Sequence, residues 1–239
     1  GEIINADSMQ IYKKLKILTA RPNKKEQKKI RHHLYGIVNI NSNFSTGTWL
    51  RLAIKKIKEI RKRKKIPIIV GGTGLYFQSL ISGLVKIPII PMKLRNKIRL
   101  MQKRCGQKKF YKKLLKLDSK TKNKFDPNDV QRSIRAFEII TFTKISMYDW
   151  FNKTKSIFNE DAFMKFYVSA ERSELIKRIE KRTANMIKKG AIQEVIKFNK
   201  LRIKKDKSTN KIIGIHELTK YLNNQIKLKH AKELITIKT

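Results

Sequence analysis

A short apolar run that ends in glycines constrains the fold of this chain more than any other feature. Residues 66–70 (Ile-Pro-Ile-Ile-Val) are bounded by a lysine and a glycine, and they are predicted to form a buried strand. Residues 71–74 (Gly-Gly-Thr-Gly) predict a turn, and the segment 74–82 predicts a helix. A strand that turns through glycine into a helix is typical of α/β folds that hold a ligand at this turn.

The glycine turn leaves two interpretations of its polar residue open. Gly71 and Gly72 allow a sharp turn and a close approach of the backbone to a substrate. Thr73 lies at the predicted helix start, where its hydroxyl serves either as an N-cap or as a ligand contact. Because such glycine motifs are short, the local sequence favours neither interpretation.

The beginning of the chain predicts a second site of the same kind. Residues 2–8 (Glu-Ile-Ile-Asn-Ala-Asp-Ser) are predicted to form a short strand that ends in an acidic turn. Asp7 would then lie at the carboxyl end of a strand, as a general base or a metal ligand. It would otherwise cap a helix that begins at Met9, and the local sequence favours this cap.

Taken together and in order, the motifs of the chain resemble those of the tRNA dimethylallyltransferase family. The most specific matches are residues 67–76 around the glycine turn and residues 126–138 (Asp-Pro-Asn-Asp-Val-Gln-Arg-Ser-Ile-Arg-Ala-Phe-Glu). Further matches cover residues 1–12, 19–22 and 31–36, and looser ones cover 172–195 and 213–218. The resemblance therefore extends through nearly the whole chain.

The resemblance implies both a reaction and the residues that take part in it. The family transfers a dimethylallyl group from dimethylallyl diphosphate to the exocyclic amine of an adenosine on the 3′ side of the tRNA anticodon. It implies that Asp7, Thr73 and Arg95 are catalytic. It also implies that tRNA is bound by Asp7, Ser8, Met9, Gln10, Thr73, Arg95, Gln131, Arg132, Ser133, Ile134 and Arg135.

The resemblance also implies the fold, an α/β core like that of P-loop NTPases, with a parallel sheet and an inserted all-helical domain. We expect the core in residues 1–88 and 153–239, and the helical insertion, which binds the anticodon stem-loop, in 89–152.

Besides the strands at 2–8 and 66–70, the sequence pattern predicts strands at 34–40 and 163–169. Helices are predicted at 49–62, 74–82, 92–104, 107–117, 128–142, 146–152, 171–189, 191–199, 213–222 and 228–237.

Composition indicates the partner and the compartment. The formal net charge of +40 predicts a polyanionic partner such as RNA, although codon drift toward lysine also contributes to it. No apolar run approaches 18 residues, and a single cysteine suits a reducing compartment. We therefore expect a cytoplasmic protein that has no membrane partner. We also expect a monomer. Four histidines and one cysteine argue against a zinc centre.

One family motif does not occur in the sequence. The phosphate loop Gly-x-x-x-x-Gly-Lys-Ser/Thr, whose hydroxyl helps to hold the Mg²⁺ that the family implies, is missing. We therefore expect a fragment that lacks this N-terminal loop and a C-terminal segment, and that is inactive alone. Two alternatives stay open: an adenylate isopentenyltransferase that acts on a free nucleotide, and a non-catalytic RNA-binding remnant.

Overall fold

A computed structural model describes residues 1–204 and 207–239, which form two compact units. The first unit contains residues 1–79 and 161–239, and the second contains residues 80–160. The strands are β1 (Glu2–Asn5), β2 (His32–His33) and β3 (Pro67–Val70). The α-helices are α1 (Lys24–Lys29), α2 (Thr46–Lys62), α3 (Gly74–Ile81), α4 (Met92–Leu117), α5 (Val130–Thr143), α6 (Met147–Asn152), α7 (Arg172–Lys188), α8 (Ala191–Asn199), α9 (Ile215–Leu222) and α10 (Leu228–Lys238).

The three strands form a parallel sheet in the order β2-β1-β3. In register, Ile3 pairs with His32 and with Ile68, so that β1 lies between its two neighbours. Parallel strands joined by helices place all their carboxyl ends at one edge of the sheet. The predicted α/β class is therefore confirmed, and the turns that follow β1 and β3 lie at the same edge.

The strand predicted at residues 34–40 is wrong. The chain pairs with β1 at His32 and His33, immediately before the predicted segment. Within the segment, the only pairing among the described residues is an isolated bridge between Val38 and Tyr12. The physical reason is that Leu34 and Gly36 both have left-handed backbone angles, with φ of 64° and 60°. An extended strand cannot continue through such residues.

Helix α2 packs its apolar side against the sheet, and the side chain of Ser45 caps its start. The Ser45 hydroxyl accepts a hydrogen bond from the backbone N–H of Thr48 at 3.1 Å. Its buried side chains recur at helical spacing, as Trp49, Ala53, Ile57 and Ile60.

The prediction that residues 66–70 are buried needs correction. The strand β3 is present, but Ile68 and Val70 are each nearly half exposed and alternate with half-buried residues. This period of two is typical of a strand at the edge of a sheet with one covered face. The strand is therefore real, and only its complete burial is wrong.

The strand predicted at residues 163–169 is also wrong. This segment has no regular structure, and Phe166, Tyr167 and Val168 are each more than 80% exposed. A strand exists only where a neighbour pairs its N–H and C=O groups, and no described strand pairs with this segment.

The helices α7 to α10 surround a core in the first unit. The predicted end of α7 is confirmed, because Gly190 follows it with a left-handed φ of 96°. The Glu194 carboxylate accepts hydrogen bonds from three consecutive backbone N–H groups, and so ties α8 to residues 16–18. The core that these helices share with the first part of the chain includes Ile11, Leu15, Leu18, Val38, Ile40, Val195, Phe198, Leu218 and Ile235.

The second unit is helical in all its regular structure. Gly106 interrupts α4 with a φ of 72°, as the two predicted helices 92–104 and 107–117 require. The rings of Phe110 on α4 and Phe137 on α5 lie 4.9 Å apart in the core of this unit.

The predicted domain boundaries at residues 88 and 152 and the tRNA-binding role of the insertion stay predictions. No helix in the described ranges is long and apolar enough to cross a bilayer.

A buried carboxylate ties the first unit together at the start of β1. Glu2 is only 1% exposed, and it accepts hydrogen bonds from Arg63 Nη2 and His33 Nε2, each at 2.7 Å. Lys65 Nζ lies 3.7 Å from the same carboxylate. The hydrogen bonds from Arg63 and then from His33 lower the pKa of Glu2 from 4.5 to about 2.

We expect this carboxylate to make folding depend on pH in a defined window. Because the folded-state pKa is depressed, its contribution to stability is complete above pH 4.5 and is lost as the pH falls toward about 2. Urea unfolding of the wild type and of Glu2→Gln measures it directly. The difference in unfolding free energy is expected to be largest at neutral pH and to shrink below pH 4.5. Two curves that stay parallel from pH 7 to pH 2 would contradict this role.

Candidate active site

The turns after β1 and β3 are joined directly at the carboxyl edge of the sheet. Ala6 N–H donates to the Val70 carbonyl at 2.7 Å, and Thr73 N–H donates to the Ala6 carbonyl at 3.1 Å. Gly71 lies so close to this backbone that a Cβ atom there would be 2.2 Å from the Ala6 carbonyl carbon. The two sites predicted separately from the sequence are therefore one site.

The Thr73 hydroxyl connects the two turns. It accepts a hydrogen bond from Ser8 N–H at 2.9 Å and donates to Ser8 Oγ at 3.2 Å. These bonds run to the turn after β1 and not to the first N–H groups of α3. No N-cap bond of the Thr73 hydroxyl to α3 is therefore seen in the described residues, and its ligand contact stays a prediction.

The Asp7 carboxylate organises the turn that follows β1. Its Oδ1 accepts hydrogen bonds from the backbone N–H groups of Met9 at 2.7 Å and Gln10 at 3.3 Å. The Asn5 side chain accepts from Asp7 N–H at 2.9 Å and so fixes the residue from the other side. None of these contacts uses Asp7 Oδ2, which leaves one carboxylate oxygen for other partners.

The helix that was predicted to begin at Met9 is absent. Residues 8–11 form a turn, and the chain then pairs at Tyr12 with Val38. Asp7 accepts hydrogen bonds from backbone N–H groups as a cap does, but the segment that these bonds hold is a turn and not a helix. The backbone after Asp7 is therefore held by the Asp7 carboxylate and not by the backbone hydrogen bonds of a helix.

Aromatic residues that the sequence analysis did not select pack beneath this edge. Trp49 stacks on Tyr76 with ring centroids 4.3 Å apart, and its Nε1–H donates to the Asn5 carbonyl at 2.8 Å. Burial raises the pKa of Tyr76 to about 12, with smaller contributions from Tyr12 and from the Asp7 charge. Burial and the charge of Asp7 also raise the pKa of Tyr35. Both phenols thus stay neutral around Asp7 at physiological pH.

Gln10 is anchored to a neighbouring loop. Its side-chain Nε2 donates to the Thr19 carbonyl at 2.9 Å. Its backbone carbonyl accepts a hydrogen bond from Gly36 N–H at 2.9 Å. Met9 packs against the core of the first unit. The side-chain oxygen of Gln10 is the atom that these bonds leave for a ligand.

The other predicted site residues lie in the second unit. Arg95 Nε donates to Glu138 Oε2 at 3.1 Å, and Arg135 Nη1 donates to the same oxygen at 3.4 Å. Gln131 and Arg132 are exposed at the start of α5. Their tRNA contacts stay predictions.

Two residues of the predicted tRNA-binding segment also have contacts within the second unit. Ser133 is completely buried and accepts a hydrogen bond from Gln107 Nε2 at 2.9 Å. Ile134 packs against the core of the second unit. Ser133 is buried and Ile134 is partly buried on α5, and their tRNA contacts also stay predictions.

Within residues 1–204 and 207–239, no group of three or more His, Cys, Asp or Glu side chains lies together as a candidate metal site. Mg²⁺ is commonly held by one or two carboxylates together with water and substrate phosphates, so the Mg²⁺ that the resemblance implies stays an expectation. At the carboxyl edge of the sheet, Asp7 supplies a single carboxylate.

Comparison with known proteins places this chain among enzymes that modify tRNA. The model of the IPP transferase family matches residues 10–239. A tRNA dimethylallyltransferase of Pelagibacter ubique is 69% identical over 239 residues, which are all of this chain and 76% of that protein.

Two crystal structures share the fold. The full-length tRNA isopentenylpyrophosphate transferase of Bacillus halodurans is 30% identical, with a TM-score of 0.66 over all of this chain and 74% of that one. A eukaryotic dimethylallyltransferase acting on tRNA is 27% identical, with a TM-score of 0.83 over all of this chain and 60% of that one.

Proposed function

The chain belongs to the IPP transferase family of tRNA dimethylallyltransferases, and from this membership we propose how its residues carry the reaction. The substrate is the exocyclic amine of the adenosine on the 3′ side of the tRNA anticodon, and the donor is dimethylallyl diphosphate. The observation that carries the proposal is the direct hydrogen bonding of the Asp7 turn to the Thr73 turn at one edge of the sheet.

Asp7 is the proposed general base. An exocyclic amine of adenine is a weak nucleophile, and it must lose a proton as its new bond to carbon forms. A carboxylate within hydrogen-bond reach accepts that proton. Asp7 Oδ1 is held by Met9 and Gln10 N–H groups, so that Oδ2 is the oxygen proposed to face the amine.

Thr73 and Arg95 are the proposed partners of the reacting groups. The departing diphosphate gains negative charge, which oriented donors and cations stabilise. Thr73 has a hydroxyl fixed by Ser8, and Arg95 has a guanidinium of which one edge is held by Glu138. We propose that Thr73 positions the adenosine or the donor, and that Arg95 binds tRNA close to the diphosphate.

The nucleotide has to leave its stack to reach a carboxylate at a sheet edge, which favours the unpaired bases of a loop. Basic side chains across both units favour RNA over a free nucleotide, and we propose that Gln131, Arg132 and Arg135 contact the anticodon stem-loop. We further propose that the protein acts as a monomer in the cytoplasm.

Transfer of labelled dimethylallyl groups tests the proposal against both alternatives. The assay supplies either AMP or unmodified tRNA, and uses the chain preceded by a phosphate-loop segment, because its own sequence contains none. We expect label on tRNA alone. Label on AMP alone would identify a free-nucleotide enzyme, and tRNA binding without transfer would identify a non-catalytic RNA-binding protein.

A further inference from the structure

One buried carboxylate in the second unit collects three arginines. Glu138 on α5 is 1% exposed, and its Oε2 accepts from Arg95 Nε at 3.1 Å and from Arg135 Nη1 at 3.4 Å. Arg99 Nε lies 3.7 Å from Glu138 Oε1. Arg95 and Arg99 are four residues apart on α4, so they lie on one face of that helix.

The charges of this cluster do not balance. A single carboxylate compensates one of the three guanidinium groups, which leaves a local excess of two positive charges. A bridge that only fastened α4 to α5 would need one arginine. Three arginines around one buried acid are instead the arrangement that suits an additional anion.

The unused donor atoms of the three arginines also indicate a site for an anion. The side chains of Arg95, Arg99 and Arg135 are 32%, 46% and 42% exposed, although each touches a carboxylate that is buried. Their contacts with Glu138 use Nε or Nη1, and no Nη2 atom of the three has a hydrogen bond within the described residues. Each guanidinium is therefore held at one edge and open at another.

Arg99 is the least constrained member of the cluster. At 3.7 Å it is close enough for an ion pair but too far for a hydrogen bond, and Glu138 Oε1 has no hydrogen-bond partner in the described residues. A buried carboxylate oxygen without a donor calls for a physical explanation. A guanidinium that also reaches outward to an anion accounts for it.

We propose that Arg95, Arg99 and Arg135 form one site for an RNA phosphate, with Glu138 as the positioning residue that orients them. The inference rests on the proposed function, since it takes tRNA as the ligand. It adds Arg99 as a phosphate-binding residue and gives Glu138 a role through the arginines. Glu138 itself contacts no substrate.

Binding of an unmodified anticodon stem-loop RNA tests the site, with the chain as it stands. Arg99→Ala is expected to weaken binding about tenfold and to reduce the salt slope of log K by about 1, since one charge-assisted phosphate contact is lost. Arg99→Lys is expected to restore the salt slope but only part of the affinity, because lysine lacks the planar fork. The matched control is Lys97→Ala, which removes the same charge from another exposed face of α4.

Glu138→Gln separates positioning from charge. It raises the net charge, so binding of an unrelated RNA is expected to hold or strengthen, whereas stem-loop binding is expected to weaken about tenfold. A folded Glu138→Gln protein with unchanged stem-loop affinity would give Glu138 a structural role only. If this variant does not fold, the two Arg99 variants still decide the phosphate site.

The outcomes keep this inference apart from the proposed function. A wild type that does not distinguish the stem-loop from unrelated RNA would count against the proposed function itself. A wild type that does, with Arg99→Ala equal to Lys97→Ala, would overturn the phosphate site alone. Titration with inorganic pyrophosphate gives the last arm: if Arg99→Ala weakens pyrophosphate but not RNA, the ligand is the donor and the RNA assignment fails.

Discussion

Asp7→Asn is expected to slow dimethylallyl transfer to tRNA by about 10²–10⁴, which is the usual contribution of a positioned general base. Asparagine keeps an oxygen that accepts from the Met9 and Gln10 N–H groups, so the turn after β1 is expected to survive. What it loses is the capacity to accept a proton from the amine. Single-turnover transfer with saturating tRNA isolates this step, in the chain preceded by a phosphate-loop segment.

The control for Asp7 makes the same chemical change in the same kind of turn. Asp126 Oδ1 accepts from Asn128 N–H at 2.8 Å, so Asp126→Asn also removes one carboxylate from a backbone contact. We expect near wild-type transfer from this control, and unchanged tRNA affinity from Asp7→Asn. Normal turnover by Asp7→Asn would remove Asp7 from the role of base and leave it as the residue that closes the turn.

The proximity of the two turns of the site was predictable, because each turn follows a predicted strand of one parallel sheet. Asp7 and Thr73 are 66 residues apart, but each follows a predicted strand, and the carboxyl ends of parallel strands share one edge of a sheet. The helices were predictable for a local reason, the helical spacing of their apolar residues.

What the sequence could not predict depends on partners that are distant along the chain. Residues 163–169 have the apolar character of a strand, but strand formation is decided by a neighbour. Glu138 and Glu194 look like ordinary polar positions on amphipathic helices. Only the packing of α4 against α5, and of α8 against residues 16–18, makes these carboxylates the centres of their hydrogen bonds.

Gly71→Ala is expected to disrupt the site as a whole. A Cβ atom at this position would lie 2.2 Å from the Ala6 carbonyl carbon and 2.7 Å from Asp7 N, and backbone atoms cannot rotate away as a flexible side chain can. The turn after β3 must therefore move away from β1, which breaks the bond from Thr73 N–H to the Ala6 carbonyl and separates Thr73 from Ser8. We expect the unfolding free energy to fall by about 3 kcal/mol.

The neighbouring glycines make this prediction specific, because a Cβ at Gly72 or at Gly74 would meet no described atom within 4 Å beyond its own chain neighbours and helix backbone. Gly72→Ala and Gly74→Ala are therefore expected to stay within about 0.5 kcal/mol of the wild type in urea unfolding. Transfer by the folded fraction of Gly71→Ala is expected to fall by about 10², since a shift of about 1 Å in positioning has that effect. If Gly72→Ala instead keeps its stability and loses transfer, Gly72 is where the substrate approaches the backbone. Equal stability of Gly71→Ala and Gly72→Ala would contradict the close contact of the two turns from which the proposed chemistry follows.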